Sequence, residues 1–261
     1  MTARFSVCVL LYGEHPELAR RCLGSLAKDP GYREHVKEFR IGLNHVSRET
    51  YDYAIEWGRS PALAGSRVIY YLPEGNLPLK YPLMRVMLHD RLATLARSVM
   101  WFDDDSYLAG DAGWWNNVSE LAANHPAIGQ IWYMPLTGGQ RAFFRSQPWY
   151  DGSLRELPRM RFLQGAWWVI EAAVLLKYNW PIPELRHNGG DSMFGELCRH
   201  RNIPLLHYDA GVLINADEFG RHSKSARRGL SERNIGYDYG GLPLPTEHHD
   251  FLVRRWVQPC E

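Results

Sequence analysis

Val99-Met100-Trp101-Phe102-Asp103-Asp104-Asp105 decides how this chain is read. Four apolar residues in a row are the mark of a buried strand. Three adjacent carboxylates follow at once. Side by side they repel, and burial would raise their proton affinity further. Compensation comes from a cation or from a set of hydrogen-bond donors. A strand that ends this way delivers its acids to the rim of a sheet. In open α/β sheets, ligands bind at that rim, outside the carboxyl ends of the strands. In an extended chain Asp103 and Asp105 point one way and Asp104 the other. Two carboxylates on one side suit a hard divalent cation, Mn²⁺ or Mg²⁺. The plainer alternative is a turn whose aspartates are solvated or bonded to backbone N–H groups.

The flanking sequence supports a sheet. Residues 5–12 form an apolar run that stops at Gly13. Residues 17–28 place Leu18, Cys22, Leu23 and Leu26 at helical spacing, between Pro16 and Asp29-Pro30-Gly31. A second strand over 39–43 ends at Asn44, a short helix covers 50–57, a third strand covers 67–72, and a helix covers 83–96. Strands alternating with helices predict βαβ units and a mostly parallel sheet. Beyond the aspartates the pattern predicts a helix over 114–124, strands over 128–134 and 162–170, helices over 171–178 and 191–201, and a strand over 205–208. Residues 137–161 have no clear period and read as a long loop facing an acceptor. The tail from 215 onward is polar, aromatic and rich in Gly and Pro.

Bulk properties narrow the class. The chain has 261 residues, 45% hydrophobic and 23% charged, and a formal net charge of +1. That fits a soluble globular protein without an overall bias toward polyanions, so a nucleic-acid partner would need a local patch. Four cysteines without CxxC spacing point to a reducing compartment. With no signal-peptide pattern and no membrane-spanning apolar stretch, the expected location is cytoplasmic.

Four segments resemble one known group. Residues 5–13 with 17–26 look like the opening strand and helix of GT-A-fold glycosyltransferases, especially family 2. Trp101-Phe102-Asp103-Asp104-Asp105 resembles their DxD motif, and Gly165-Ala166-Trp167-Trp168-Val169 their acceptor-side segment. Gly189-Gly190-Asp191-Ser192-Met193-Phe194 resembles the catalytic-base motif that precedes a helix. The resemblance covers about residues 5–210. It implies a single GT-A-type domain with a nucleotide-sugar-binding half (1–110), an acceptor-side half (111–214) and a C-terminal loop and tail (215–261). It also implies a nucleotide-sugar donor, with a UDP-sugar favoured, and a hydroxyl acceptor of unspecified class, nucleic acid included.

The roles implied by the resemblance are these. Asp103 and Asp105 hold the metal, and His222 completes its shell, with Asp217 the competing carboxylate. Leu11, Tyr12, Glu14, Asn44, Lys80, Asp103 and Asp104 line the donor. Trp167 and Trp168 offer an aromatic platform to the acceptor. Asp191 is the general base, and inversion follows by analogy. Residue by residue, plainer readings remain: Asp191 as a helix cap, the tryptophans as core, Lys80 or Arg85 as a solvated helix start. The basic residues Arg221, Lys224, Arg227, Arg228 and Arg233 face either a diphosphate or solvent. A binding module without turnover and a metal-dependent phosphohydrolase are the competing functions. A Rossmann dehydrogenase is disfavoured, because Tyr12-Gly13-Glu14-His15-Pro16 stands where GxGxxG would be.

Overall fold

The computed structural model describes residues 4–74, 80–90, 94–110, 112–185, 189–214 and 253–258. The elements in chain order begin with β1 (Phe5–Tyr12), α1 (Pro16–Leu26), α2 (Tyr32–His35), β2 (Val36–Asn44), α3 (Arg48–Gly58) and β3 (Arg67–Pro73). Next come α4 (Lys80–Leu88), β4 (Ser98–Asp103), β5 (Ser106–Leu108), α5 (Trp114–Asn124), β6 (Ala127–Pro135), α6 (Gly138–Arg145) and β7 (Arg159–Glu171). The chain continues with α7 (Ala172–Lys177), α8 (Gly190–His200), β8 (Leu205–His207), β9 (Val212–Ile214) and β10 (Val253–Val257).

Eight strands form one sheet in the order β10-β3-β2-β1-β4-β7-β6-β8. β3, β2, β1 and β4 run parallel, as the alternating strand–helix pattern predicts. β7 lies antiparallel to β4, and β6 antiparallel to β7. β5 and β9 form a separate antiparallel pair beside the acidic turn. The central strands read as unbroken apolar runs because both faces are covered. Along β1, Phe5, Val7, Val9 and Leu11 pack under α1, α3 and α5, whereas Cys8 and Leu10 pack under α4 and α8. β4 follows the same rule: Met100 and Phe102 join the first core, Val99 and Trp101 the second.

The structure corrects several expectations. Residues 137–161 are not one loop, because α6 occupies 138–145. A capping box starts it, with Thr137 and Gln140 bonding each other's backbone N–H. α4 begins three residues before the expected helix and ends at Leu88, well short of 96. There Asp90 is claimed by the Tyr71 hydroxyl (2.8 Å) and by Arg255 (2.9 Å). The tail contains a strand, β10, paired antiparallel with β3. Among the described residues no helix is long and apolar enough to cross a membrane.

Candidate active site at the strand rim

β1, β2 and β4 deliver Tyr12, Asn44 and Asp103 to one rim of the sheet. Only Asp103 of the acidic triplet is in the strand; Asp104 and Asp105 form a turn that leads into β5. The simple alternation of the three side chains therefore stops after Asp103. Asp103 follows Trp101 by two positions and shares its face. The indole Nε1–H of Trp101 donates to Asp103 Oδ1 (2.9 Å), and the Lys80 ammonium donates to Oδ2 (2.6 Å).

Asp104 is buried and accepts the backbone N–H of Tyr12 on Oδ2 at 3.0 Å. It ties the end of β1 to the acidic turn. Asp105 is also buried, and its Oδ1 has no hydrogen-bond partner among the described residues. Its pKa is pushed up to about 6, first by burial and then by the charge of Asp103, against the opposing pull of Lys80 and Arg21.

Lys80 sits at the start of α4 and joins the two halves of the rim. Besides Asp103, its ammonium donates to the Gly165 carbonyl in β7 (2.7 Å). Ser106 Oγ donates to the neighbouring Ala166 carbonyl (2.9 Å), which ties this stretch of β7 to the strand after the acidic turn. Across Gly165 lies Asp191. A Cβ built on Gly165 would stand 3.5 Å from both Asp191 Oδ2 and Lys80 Nζ, so carboxylate and ammonium flank the same glycine.

Asp191 opens α8. Its Oδ1 accepts the Ser192 N–H (2.9 Å), and its own N–H donates to the Tyr81 hydroxyl (3.1 Å). Burial raises its pKa above the usual carboxylate range, Asp103 adds to the rise, and Lys80 and the Ser192 N–H oppose it. The two glycines before it serve local geometry. Gly189 has φ 87°, a left-handed value that glycine adopts without strain. Gly190 has no room for a Cβ, because the Tyr81 ring fills that space. What Gly190 admits is Tyr81.

The remaining expected residues divide clearly. Tyr12 is partly exposed and Glu14 exposed at the rim, with His45 exposed beside them. Asn44 is buried at the end of β2. The Leu11 side chain is in the core under α1 and α3, so only its backbone borders the rim. Trp167 (1% exposed) and Trp168 (3%) pack into opposite cores. Neither presents a face to a sugar, which corrects the platform reading; Trp168 instead stacks on Trp101 beneath Asp103 (5.8 Å between centroids). Arg85 is buried and spends its guanidinium on the carbonyls of Asn179 and Pro181, so it is not part of a solvated helix start. His222, Asp217 and the basic residues 221–233 lie outside the described residues, as do 75–79 of the segment before α4.

Sequence reasoning passed over Tyr81, Trp180 and Arg21. Tyr81 and Trp180 are one core aromatic among many, and their link to Asp191 is tertiary. Arg21 carried a usable signal, an arginine on the first helix after the first strand; its guanidinium lies over the Tyr107 ring (4.2 Å) beside the acidic turn.

The acidic turn offers oxygen ligands of the kind a hard divalent cation takes. An ionisable oxygen of Asp105, held out of water without a donor, is a fitting ligand for a hard cation. Asp103 lies next to it but has a donor on each oxygen. Among the described residues no three His, Cys, Asp or Glu side chains are gathered as a ready-made metal cluster. Such a cation would therefore draw the rest of its shell from a bound diphosphate, from water, or from residues outside those described.

Compared by sequence, the chain matches no protein-family model and no curated protein. Compared by shape, it resembles residues 1–349 of TarS from S. aureus, at 14% identity and a TM-score of 0.53, covering 79% of this chain and 58% of that one. It also resembles PcManGT, a mannosyltransferase from Pyrobaculum calidifontis solved with GDP-Man and Mn²⁺, at 14% identity and a TM-score of 0.54, covering 80% and 55%. A third is GalNAc-T7, solved with UDP, GalNAc and Mn²⁺, at 12% identity and a TM-score of 0.55, covering 81% and 43%. The chain spans between two fifths and three fifths of these proteins' lengths. It has their fold, GT-A, with a large central sheet flanked by helices.

Proposed function

We propose that this chain is a glycosyltransferase that moves a sugar from a nucleotide-sugar donor to an acceptor hydroxyl, with inversion and with Asp191 as general base. The observation that carries this reading is the meeting of Asp103, Asp105, Lys80 and Asp191 at the carboxyl-end rim of a GT-A sheet. A rim with an acidic turn on one side of Lys80 and a poised carboxylate on the other suits a donor diphosphate and an acceptor hydroxyl.

Asp105, with Asp103 beside it, would hold Mn²⁺ or Mg²⁺; when bound, such an ion neutralises charge on the departing diphosphate. The protein residues do the rest. The acceptor hydroxyl oxygen bonds to the anomeric carbon as the carbon–oxygen bond to the nucleoside diphosphate breaks. The hydroxyl proton passes to Asp191 Oδ2, the oxygen not occupied by Ser192. A raised pKa brings Asp191 nearer to neutrality than a solvated aspartate, which suits a base. Lys80 keeps the carboxylates from repelling one another across the site. Tyr12, Glu14 and Asn44, at the ends of β1 and β2, border the place for base and ribose. Asn44 both donates and accepts, which leaves the base open; a UDP-sugar is the donor we favour, by the resemblance to GT-A glycosyltransferases. A cytoplasmic setting is inferred from cysteine usage; Cys8, Cys22 and Cys198 are free and buried.

Asp191→Asn tests the reading. Turnover should fall by roughly 10²–10⁴-fold, while nucleoside diphosphate binding, followed by calorimetry with Mn²⁺, stays within about twofold of the parent. Undiminished transfer by the variant would remove Asp191 from the mechanism. Release of free phosphate without a glycosylated product would point to a phosphohydrolase instead.

A further inference from the structure

We propose that Tyr81 and Trp180 are positioning residues: they clamp the Gly190–Asp191 peptide and so aim the Asp191 carboxylate. The inference rests on the reading of Asp191 as the base and adds two residues that touch no reacting atom.

The first N–H groups of a helix have no acceptor within it. At α8 the N-cap is Gly189, which has no side chain to supply one. The acceptor comes from a distant element. Tyr81, in the first turn of α4, receives the Asp191 N–H on its hydroxyl oxygen at 3.1 Å. The other end of the same peptide is also held: Trp180 Nε1–H donates to the Gly190 carbonyl at 3.3 Å. One amide group is thus gripped at both its N–H and its C=O by two side chains. Those two rings meet edge to face, 6.1 Å apart at 74°.

The clamp is rigid for reasons that can be named. Tyr81 is 3% exposed and Trp180 1%. Trp180 packs edge-on against Trp168 (5.6 Å) and against Phe194 of α8 (5.2 Å). Arg85 fixes the backbone on either side of Trp180, donating to the carbonyls of Asn179 and Pro181 and to the Asn179 side chain (2.9 Å). Gly190 lets the Tyr81 ring lie directly against the peptide. With that peptide fixed, Asp191 Oδ1 is taken by the Ser192 N–H and Oδ2 is left facing Gly165. A catalytic group displaced by about 1 Å loses as much as roughly 10²-fold in rate, so the clamp has a kinetic effect separate from stability.

Tyr81→Phe keeps the ring and deletes the hydroxyl; Trp180→Phe keeps an aromatic and deletes the N–H. Each is measured for kcat, donor KM, nucleoside diphosphate affinity and Tm, and Tyr81→Phe is also added to Asp191→Asn. The expected result is a loss of about 10-fold in kcat for each, with donor KM and nucleotide affinity within twofold. Added to Asp191→Asn, Tyr81→Phe should leave the residual rate unchanged, because it acts only through that carboxylate. Full kcat in Tyr81→Phe would overturn the proposal, as would equal loss with and without Asp191→Asn, or a parallel loss of donor affinity. Full turnover in Asp191→Asn alone would instead remove the base assignment, whatever Tyr81→Phe does.

Discussion

Asp105 ionises late because it is buried beside a second carboxylate, and this has a consequence for stability. Its pKa rises from 3.8 to about 6 on folding. Between those values the native state binds more protons than the unfolded chain, so stability falls as pH rises. Stability is fullest below about pH 4 with respect to this group, and the loss is complete above about pH 6, on the order of 3 kcal/mol at 1.36 kcal/mol per unit. Asp105→Asn removes the charge at similar shape. In buffer with EDTA, the variant should gain on the parent between pH 4 and pH 7.5 by that amount, read from urea midpoints. A constant difference across that range would mean Asp105 is already ionised at low pH. Asp104, one residue away, accepts the Tyr12 N–H on Oδ2. Three identical letters thus have three separate tasks: Asp103 paired to Lys80, Asp104 bonded to backbone, Asp105 left with an unsatisfied oxygen.

Helix termini set the geometry around Asp191, and glycines there have opposite meanings. In α8, Gly190 makes room for Tyr81, so Gly190→Ala should cost about 1–3 kcal/mol through overpacking. In α6, Gly139 is exposed with open space where a Cβ would go. Gly139→Ala should gain about 0.5–1 kcal/mol from helix propensity. Urea denaturation of both variants checks the pair, and equal effects would show that the Tyr81 contact yields freely. The same two helices show what could be read from sequence. α8 and α5 were legible because apolar residues recur at helical spacing, and β1 and β4 because an unbroken apolar run marks a two-sided core strand. α6 was not, because two glycines at its start outweighed the Thr137–Gln140 capping box. β5, β9 and β10, three to five residues long, were not legible either: unlike the three-residue β8, they lie beside the acidic turn or in the polar tail. The acids of the site were legible by their position after a strand and before a helix. The clamp on the Gly190–Asp191 peptide was not, because it is made only by tertiary packing, with Tyr81 110 residues from Asp191 and Trp180 10 residues from Gly190.

The sheet of the molecule is completed from the far end of the chain. After β9 pairs with β5 beside the acidic turn, the described chain resumes at β10, the edge strand of the large sheet next to β3. Two side chains anchor that last strand on opposite faces. Trp256 stacks on Tyr70 (5.1 Å between centroids), and Arg255 donates to Asp90, whose other oxygen accepts the Tyr71 hydroxyl. The Asp90 side chain is almost wholly buried (1% exposed), so Arg255 supplies a cation to a carboxylate that water does not reach. Removing one partner of such a pair costs about 3–5 kcal/mol because the other charge stays buried. Arg255→Met should therefore lower unfolding free energy by that order, less whatever relaxation admits water to Asp90. It should also speed amide hydrogen exchange along β3, whose edge β10 covers. Arg254, the exposed neighbour on the other side of the strand, is the control: Arg254→Met should stay within about 0.5 kcal/mol. Equal, small effects at both positions would show that β10 is held by its backbone ladder and by Trp256, and that the Asp90 charge is neutralised without Arg255.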